Sequence, residues 1–416
     1  MVIVRTRLVS LAVAVVVSGV SSGAIAGGFA IGTQSGSGTG NAFAGGAAAA
    51  DDASVAWSNP AAMTALSSGR QLTVAGHLVR PSFKFSNTGS TGTFLASGSG
   101  EGGDGGDWVV IPNLFFTTDI DPQWRFGIAV NAPFGLTTNY DAGWRGQRTA
   151  LKSEVKSVNI NPSLAYKLSD AVSIGGGISV QKLQAELSHF VPGAGVARLK
   201  ADDVGYGFNL GLTVQATPAT RFGLAYRSSV KYELEGAATF SVVSALNSSV
   251  KADLRVPESA SFSVFSVLDP KWEVMADVTW TRWSRLQQLT VIRTSGAGAG
   301  STLQSLPFHW DDVLRFGVGA NYKMNERTKL RFGAAFDQSP TNNVDRTPRL
   351  PDQDRTWIAA GVQYRLSKTG VLEFGYAHEF IRDATVNTSA AGAVGSLVGS
   401  FRSRADILSI QYSHSF

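Results

Sequence analysis

Residues 271–280 read KWEVMADVTW, and their side chains alternate in character along the segment. Apolar residues occupy every second position from Trp272 to Trp280, with Glu273 and Asp277 on the intervening positions. Successive side chains of a β-strand point to opposite faces, so the pattern predicts a strand with one apolar face. Tryptophan at both ends of that face is typical of the aromatic girdles of a membrane barrel.

The same alternation recurs in the segments 222–227, 330–337 and 372–380. It also continues to the last residue of the chain, where DILSIQYSHSF places apolar or aromatic side chains on one face from Leu408 to Phe416. A soluble β-sandwich alternates in the same way, so alternation by itself leaves a secreted soluble β protein open as an alternative.

The connections between the alternating segments favour a membrane barrel, because short and long connections follow one another in turn. The predicted short turns lie at 119–122, 168–170, 216–219, 268–270, 324–327 and 367–370. The predicted long connections lie near 87–104, 135–150, 190–200, 236–247, 294–304, 338–354 and 386–400. Tight periplasmic turns and long extracellular loops are the layout of outer-membrane barrels, and the segments between these connections count to fourteen strands.

The predicted fold class is therefore all-β, a fourteen-stranded antiparallel transmembrane β-barrel with a small N-terminal helical hatch inside its lumen. A final alternating strand that ends on Phe416 is similar to the signal read by the outer-membrane barrel assembly machinery, which we expect as a partner. The expected location is the bacterial outer membrane. Outer-membrane lipid and lipopolysaccharide would surround the wall, and a monomer is expected.

Composition narrows the function classes. Charged residues make up 16% of the chain, against about 25% in soluble proteins. There is no cysteine among the 416 residues, which excludes disulfides, thiolate metal sites and cysteine nucleophiles. The formal net charge is only +5 and basic blocks are lacking, so nothing indicates nucleic-acid binding. We expect no cofactor.

The N-terminal region divides into two predicted parts that precede the barrel at 70–416. Residues 1–26 have the form of a signal peptide, with basic residues, an apolar core and AIA before Gly27. That core is too short to span a bilayer, which takes about 20 residues. Residues 27–69 are small, Gly/Ala-rich and aperiodic, and are predicted to form the hatch.

Within the hatch, Asn59 suits a helix N-cap and Pro60, followed by Ala61, suits the first helical position. Asp51 and Asp52 are expected to pair with inward-pointing Arg or Lys side chains of the wall and hold the hatch in place. No nucleophile or His accompanies this acidic pair, so a catalytic role is not expected.

The chain resembles the FadL/TodX-type outer-membrane transporters of long-chain fatty acids and other hydrophobic compounds. The resemblance rests on five segments in order: GFAIGTQSGSGTGNAFAGGAAAADDASVAWSNPA at 28–61, NAPFGLTTNY at 131–140, LAYRSSVKYELEG at 224–236, WTRWSRLQQL at 280–289 and LPDQDRTWIAAGVQY at 350–364.

This resemblance implies energy-independent uptake of a hydrophobic compound, which binds inside the barrel beside the hatch N-terminus. Gly27, Gly28 and Phe29 would belong to that binding site. Exit would be sideways into the membrane, through an opening where the third strand kinks.

The residues of the third strand agree with a kink, because Pro133 cannot donate to the ladder and Gly135 permits unusual backbone angles. The segment Asn131, Ala132, Pro133, Phe134, Gly135 is thus the predicted lateral opening. The alternative is that Pro133 merely ends the strand below a long loop.

The ligand is left open between two chemistries. A fatty-acid carboxylate would favour Arg or Lys in an apolar pocket. Lys182 and Arg293 are the nearest basic residues to the positions that the family resemblance suggests, but neither matches cleanly. An importer of neutral aromatic hydrocarbons is therefore an alternative.

Other charged residues are expected to have structural roles. Asp352, Asp354 and Arg355 lie where a long loop enters the twelfth strand and are expected to form structural pairs that anchor the loop or the hatch. Glu101, Asp104 and Asp107 could offer oxygen ligands to Ca²⁺, but such a Gly/Asp run is more often a flexible loop, and no metal site is predicted.

Two other function classes agree less well with the sequence than uptake does. A general porin for polar solutes is disfavoured by the hatch. A lipid hydrolase would need an outward Ser/His pair, and none stands out, so the protein is not expected to be an enzyme.

Overall fold

The structure is a computed structural model that describes residues 27–416 except Ser97, Ala297 and Ala391. The predicted signal peptide, residues 1–26, lies outside the described residues. No helix in the described part of the chain has the length and apolar character needed to cross a bilayer.

In the described residues, twenty strand segments form one antiparallel sheet that closes on itself, because the first segment pairs with the last from Gln71 to Asn87. The segments are β1 Arg70–Asn87, β2 Val109–Asp119, β3 Trp124–Asn131, β4 Gly135–Asn139, β5 Lys152–Lys167, β6 Val172–Val191, β7 Gly195–Gln215, β8 Thr220–Arg227, β9 Val230–Phe240, β10 Ser248–Val256, β11 Ser259–Val267, β12 Trp272–Thr281, β13 Gln288–Arg293, β14 Thr302–Pro307, β15 Val313–Lys323, β16 Thr328–Asp337, β17 Arg355–Arg365, β18 Gly370–Ile381, β19 Ala384–Thr388 and β20 Leu397–Ser415.

These segments make fourteen wall strands, which confirms the predicted barrel. Six wall strands are interrupted, so that each consists of two segments in line: β3 with β4, β8 with β9, β10 with β11, β12 with β13, β14 with β15, and β18 with β19. The predicted long connection at 190–200 is instead a tight turn at 192–194, because β6 and β7 continue as a paired ribbon to Val191 and Gly195.

The wall has an apolar outer face and a polar inner face. In β20, Leu408 and Ile410 are half exposed on the outside, whereas Ser409 and Gln411 are buried inside. Aromatic rings pair across neighbouring strands next to the short turns, as Trp272 does with Tyr322 at 4.8 Å between ring centroids. This is the girdle that the opening stretch of sequence predicts.

The lumen contains the segment that precedes β1. Its helices are α1 Gly36–Gly40, α2 Val55–Ser58 and the 3₁₀ helix Pro60–Ala65. In the external connections lie α3 Thr93–Ala96 and the 3₁₀ helix Ser244–Leu246, and a further 3₁₀ helix, Trp283–Arg285, lies at the interruption between β12 and β13.

Asn59 caps the 3₁₀ helix and binds the wall. Its side chain accepts a hydrogen bond from the Ala61 N–H at 3.1 Å and donates to the Leu212 carbonyl at 3.1 Å. Gly211 lies directly opposite, and a Cβ there would overlap the Asn59 side chain. A glycine in the wall therefore lets the hatch backbone approach closely.

Candidate functional site

The third wall strand is interrupted at the predicted kink. The segment β3 pairs with β5 as far as Asn131, opposite Asn159, and β4 resumes the pairing at Gly135, opposite Lys156. The three intervening residues, 132–134, stand opposite only two residues of β5. The surplus residue takes this stretch out of the ladder, as in a β-bulge.

The N-terminal residues of the hatch replace the missing ladder. Ala30 and Phe134 form an antiparallel bridge. The Ile31 N–H donates to the Pro133 carbonyl at 2.8 Å, and the Gly135 N–H donates to the Phe29 carbonyl at 2.9 Å. The start of the hatch is thus a short extra strand seated in the gap.

Side chains satisfy the remaining polar groups around the gap. Gln34 donates to the Ala132 carbonyl at 3.2 Å and accepts from the Asn131 side chain at 2.6 Å. The Ser157 hydroxyl accepts from the Phe134 N–H at 2.9 Å and donates to the Phe134 carbonyl at 2.7 Å. An interruption at membrane depth is costly unless its backbone groups find such partners.

Phe29 lies in an aromatic cage whose rings come from the interruptions of three wall strands. Its ring centroid is 5.8 Å from Phe134, 4.9 Å from Trp283 and 5.9 Å from Trp310. Phe29 is only 6% exposed. The first aromatic residue after the predicted cleavage site therefore fills an apolar pocket beside the kink.

The two glycines before Phe29 bind carboxylates. The Gly27 nitrogen is 3.1 Å from Asp337 Oδ2, and the Gly28 nitrogen is 2.8 Å from Asp352 Oδ2. Asp352 is paired in turn with Arg355. If cleavage occurs before Gly27, its new ammonium group faces Asp337.

Arg355 is fully buried and also binds Glu379 at 2.9 Å. Asp354 pairs instead with Arg382 at 3.2 Å and accepts a hydrogen bond from the Ser339 N–H. Within the motif LPDQDR, Asp352 therefore binds the hatch N-terminus, whereas Asp354 binds residues of the external loops.

The acidic pair of the hatch is bound to the wall. Asp51 lies 2.8 Å from Arg331 and 3.6 Å from Lys329. Burial by itself raises the pKa of Asp51, but these two cations outweigh it and hold that pKa well below its usual range. Asp52 accepts hydrogen bonds from Gln411 at 2.9 Å and from Ser37 at 2.7 Å.

A cavity of about 330 Å³ lies between the hatch and the wall. Its hatch side includes Ile31, Phe43 and Trp57, and it reaches the kink at Pro133 and Phe134. The cavity therefore adjoins both the N-terminal segment and the interruption in the wall.

Two arginines line this cavity, and both were missed among the sequence candidates. Arg315 is 3.4 Å from Asp277. Arg227 lies over the Trp57 ring at 3.3 Å from its centroid and donates to the Trp57 carbonyl at 2.7 Å. Within the described residues, Arg227 has no carboxylate within 4 Å. The signal was present, because Arg227 alternates with the outward-facing Tyr226.

The structure does not bring Lys182 or Arg293 to the cavity. Lys182 pairs with Asp202 at 2.9 Å and shares the outward face of Ile178 and Val180. Arg293 donates to the Leu246 carbonyl at 2.8 Å in the external connections. Lys182 lies away from the cavity because β6 directs its even-numbered side chains outward.

The acidic run of the first external loop acts within the loop. Asp104 accepts hydrogen bonds from the Ser82 hydroxyl and the Phe83 N–H, both at 2.8 Å. Burial alone raises the pKa of Asp104, but these bonds lower it below its usual value. The carboxylate fastens the loop to β1.

Comparisons with known proteins agree with this architecture. The family model described as outer membrane protein transport protein (OMPP1/FadL/TodX) matches residues 17–416. The long-chain fatty acid transport protein of Escherichia coli (strain K12) is 27% identical over 398 residues, which cover 84% of this chain and 87% of that protein. Outer membrane protein P1 of Haemophilus influenzae is 28% identical over 387 residues, covering 82% and 83%.

Two solved structures have the same fold. A Pseudomonas aeruginosa FadL homologue superposes with a TM-score of 0.86 at 24% identity, covering 94% of this chain and 100% of that one. The Ralstonia pickettii toluene transporter TbuX superposes with a TM-score of 0.70 at 20% identity, covering 92% and 98%.

Proposed function

We infer from the family to which this chain belongs, the outer membrane protein transport family (OMPP1/FadL/TodX), that the protein is an outer-membrane channel for the uptake of hydrophobic compounds. We propose long-chain fatty acids or similarly apolar molecules as its ligands. Passage requires no energy source in this proposal, and the wall closes within one chain, which favours a monomer.

The observation that carries the proposed route is the N-terminal segment seated in the interrupted third strand. While Phe29 to Ile31 remain there, the gap beside the cavity is closed. A ligand that takes the place of Phe29 in its cage would release the segment and open the gap. The ligand would then diffuse sideways into the membrane without entering water.

The free energy lost on release of the segment is comparable in size to the free energy gained on burial of a ligand. Release of the segment loses about 2–3 kcal/mol for the buried Phe29 side chain and about 1 kcal/mol for each of its three ring contacts. The two backbone hydrogen bonds add about 1 kcal/mol each. A ligand gains about 0.8 kcal/mol for each methylene removed from water, so about ten methylenes offset the loss. A smaller hydrocarbon offsets less of it, which favours long-chain ligands.

Arg227 is the proposed partner of a ligand carboxylate. It lines the cavity, points inward and lacks an acidic partner among the described residues. A guanidinium group binds a carboxylate through charge-assisted hydrogen bonds. Neutral aromatic hydrocarbons remain the alternative ligand class, and for them Arg227 would have no role.

A reversible lock tests the lateral route. Because the chain has no cysteine, the double variant Ala30→Cys/Phe134→Cys holds one possible disulfide, across the bridge between the hatch and the kink. Cells that lack their own fatty-acid channel would carry this variant, and uptake of a labelled fatty acid would be measured before and after reduction.

We expect the oxidised lock to stop uptake and reduction to restore it. The matched control is Thr73→Cys/Ser413→Cys, which joins directly opposite residues of β1 and β20 away from the kink and should transport in both states. Equal uptake by the oxidised and reduced lock would rule out the route. Rapid swelling of vesicles in sugar solutions would instead favour a general porin.

A further inference from the structure

Three cations form an unusual group on the outer surface of the barrel, where the last and first strands meet. Lys84 of β1 and Arg402 of β20 are direct cross-strand partners, and Arg404 follows on the same face. All three side chains are exposed. Direct cross-strand partners lie about 5 Å apart at Cβ, and like charges at that distance are destabilising. Folding alone does not favour this arrangement.

None of the three cations has a carboxylate within 4 Å in the described part of the chain. Two carboxylates flank the group, and both are engaged by other residues. Asp104 binds Arg80 at 3.4 Å. Asp406 attracts Arg404 only from beyond 4 Å, and its carboxylate accepts hydrogen bonds from the Tyr376 hydroxyl and from His378, both at 2.7 Å.

On the outer surface of β5 to β7, by contrast, cations form ion pairs with carboxylates of the same protein. There, Lys152 and Lys156 lie 3.3 Å and 3.1 Å from Glu154, and Arg198 lies 3.6 Å from Glu186. Each of these three cations is paired with a carboxylate of the protein. Those at the β1–β20 seam are left for an external anion.

The position of the group specifies the kind of anion. Leu408 and Ile410 lie below Arg404 on the same face of β20 and are 50% and 51% exposed. Phe380, which is 54% exposed, stands directly across from Arg404. The cations therefore lie just outside the apolar band that faces the acyl chains, on the side away from the short turns.

We propose that Lys84, Arg402 and Arg404 form a docking site for one lipopolysaccharide molecule, the lipid of the outer leaflet. The phosphates of its lipid anchor would bind the three cations, while its acyl chains would cover Phe380, Leu408 and Ile410. Arginine and lysine both bind phosphate, and arginine can do so through two parallel hydrogen bonds. The site is outside the barrel and does not depend on the proposed transport route.

The test compares two triple variants of the full-length protein. Lys84→Gln/Arg402→Gln/Arg404→Gln removes the proposed site. Lys152→Gln/Lys156→Gln/Arg198→Gln removes the same number of outward cations from the compensated face. Each protein is purified in mild detergent, and the binding of added lipopolysaccharide is measured by native mass spectrometry. Heat-modified mobility on a gel shows that both barrels are folded.

Removal of the three cations should weaken lipopolysaccharide binding about 100-fold, which corresponds to about 1 kcal/mol for each cation. The control variant should bind as the unmodified protein does. Restoration of binding by Lys84→Arg/Arg402→Lys/Arg404→Lys would show that charge, rather than one side-chain shape, is required.

Three results would overturn the proposal. The first is an affinity of the glutamine variant within about twofold of that of the unmodified protein, because the expected loss of affinity is about 100-fold. The second is equal binding of dephosphorylated lipopolysaccharide, because the apolar surface alone would then explain it. The third is equally effective competition by phosphatidylglycerol or inorganic phosphate, which would show that the surface does not select lipopolysaccharide.

Discussion

Substitution of Phe29 by alanine should loosen the N-terminal segment from the gap in the third wall strand. The ring is 6% exposed and contacts three other aromatic rings. Truncation of a buried Phe to Ala costs about 3–5 kcal/mol. Since about 1.4 kcal/mol is a factor of ten, local opening should become at least about 100-fold more frequent.

Hydrogen exchange reports this opening directly. The Gly135 N–H donates to the Phe29 carbonyl, and the Ile31 N–H donates to the Pro133 carbonyl, so both amides are protected only while the segment is seated. In the Phe29→Ala variant these two amides should exchange at least about 100-fold faster, under conditions where exchange follows the opening equilibrium. Fatty-acid binding should tighten in the same variant, because the ligand no longer has to displace the Phe29 ring from its cage.

Phe43→Ala is the matched control, because Phe43 is another hatch aromatic, packed edge-on against Trp357 at 6.3 Å. It should loosen its own surroundings and leave exchange at Gly135 unchanged. If Phe29→Ala accelerates Gly135 by less than about threefold, the ring does not hold the segment in place and the reasoning about the cage fails.

Three other perturbations test neighbouring parts of the structure. Replacement of residues 131–133 by residues that pair regularly should abolish uptake while the barrel still assembles, and unchanged transport would refute the lateral route. Arg227→Gln should weaken binding of a fatty acid about 10- to 100-fold and leave binding of its methyl ester unchanged, whereas Arg227→Lys should retain part of the affinity; equal losses for acid and ester would exclude a carboxylate contact. Asp51→Asn should destabilise the hatch by about 2 kcal/mol, measured by exchange within residues 36–65. Because the folded-state pKa of Asp51 is depressed, its stabilisation is present above the unfolded value of 3.8 and is lost as the pH falls below it, so variant and unmodified protein should converge in acid.

The architecture of the wall was predictable because it follows from local rules. Alternation with a period of two identified the strands, and the order of short and long connections gave their number and direction. The turn at 192–194 was misjudged because Gly193 and its neighbours look like a flexible loop, although β6 and β7 remain paired on either side.

The interruptions were predictable only in the third wall strand, where Pro133 and the family resemblance coincide. The other five depend on hydrogen bonds between residues far apart in sequence. At Ser228, for example, the strand leaves its ladder while its N–H still donates to the Phe208 carbonyl. No local pattern in the chain indicates such a contact.

Part of the arrangement around the candidate site could be predicted from the sequence. Placement of Phe29 beside the kink agrees with the expectation from the resemblance, but the extra strand at Ala30 could not be foreseen, because it joins residues about a hundred positions apart. Lys182 was predicted to bind the ligand from its position along the chain, without regard to the face of β6 on which it lies. Lys182 and Ile178 are both even-numbered residues of β6, so both lie on the outer face of the wall. The same alternation places Arg227 on the inner face, because Tyr226 is on the outer one.

The seam between β1 and β20 has a consequence for biogenesis. The hatch is made before every strand of the wall, yet α1 binds the very last one: Gly36 donates to the Gln411 side chain at 2.8 Å, and Thr39 lies 2.8 Å from Ser409. These attachments cannot form until β20 has been made. We therefore expect the hatch to be enclosed as the two ends of the sheet come together. The hatch would then be the core around which the barrel closes.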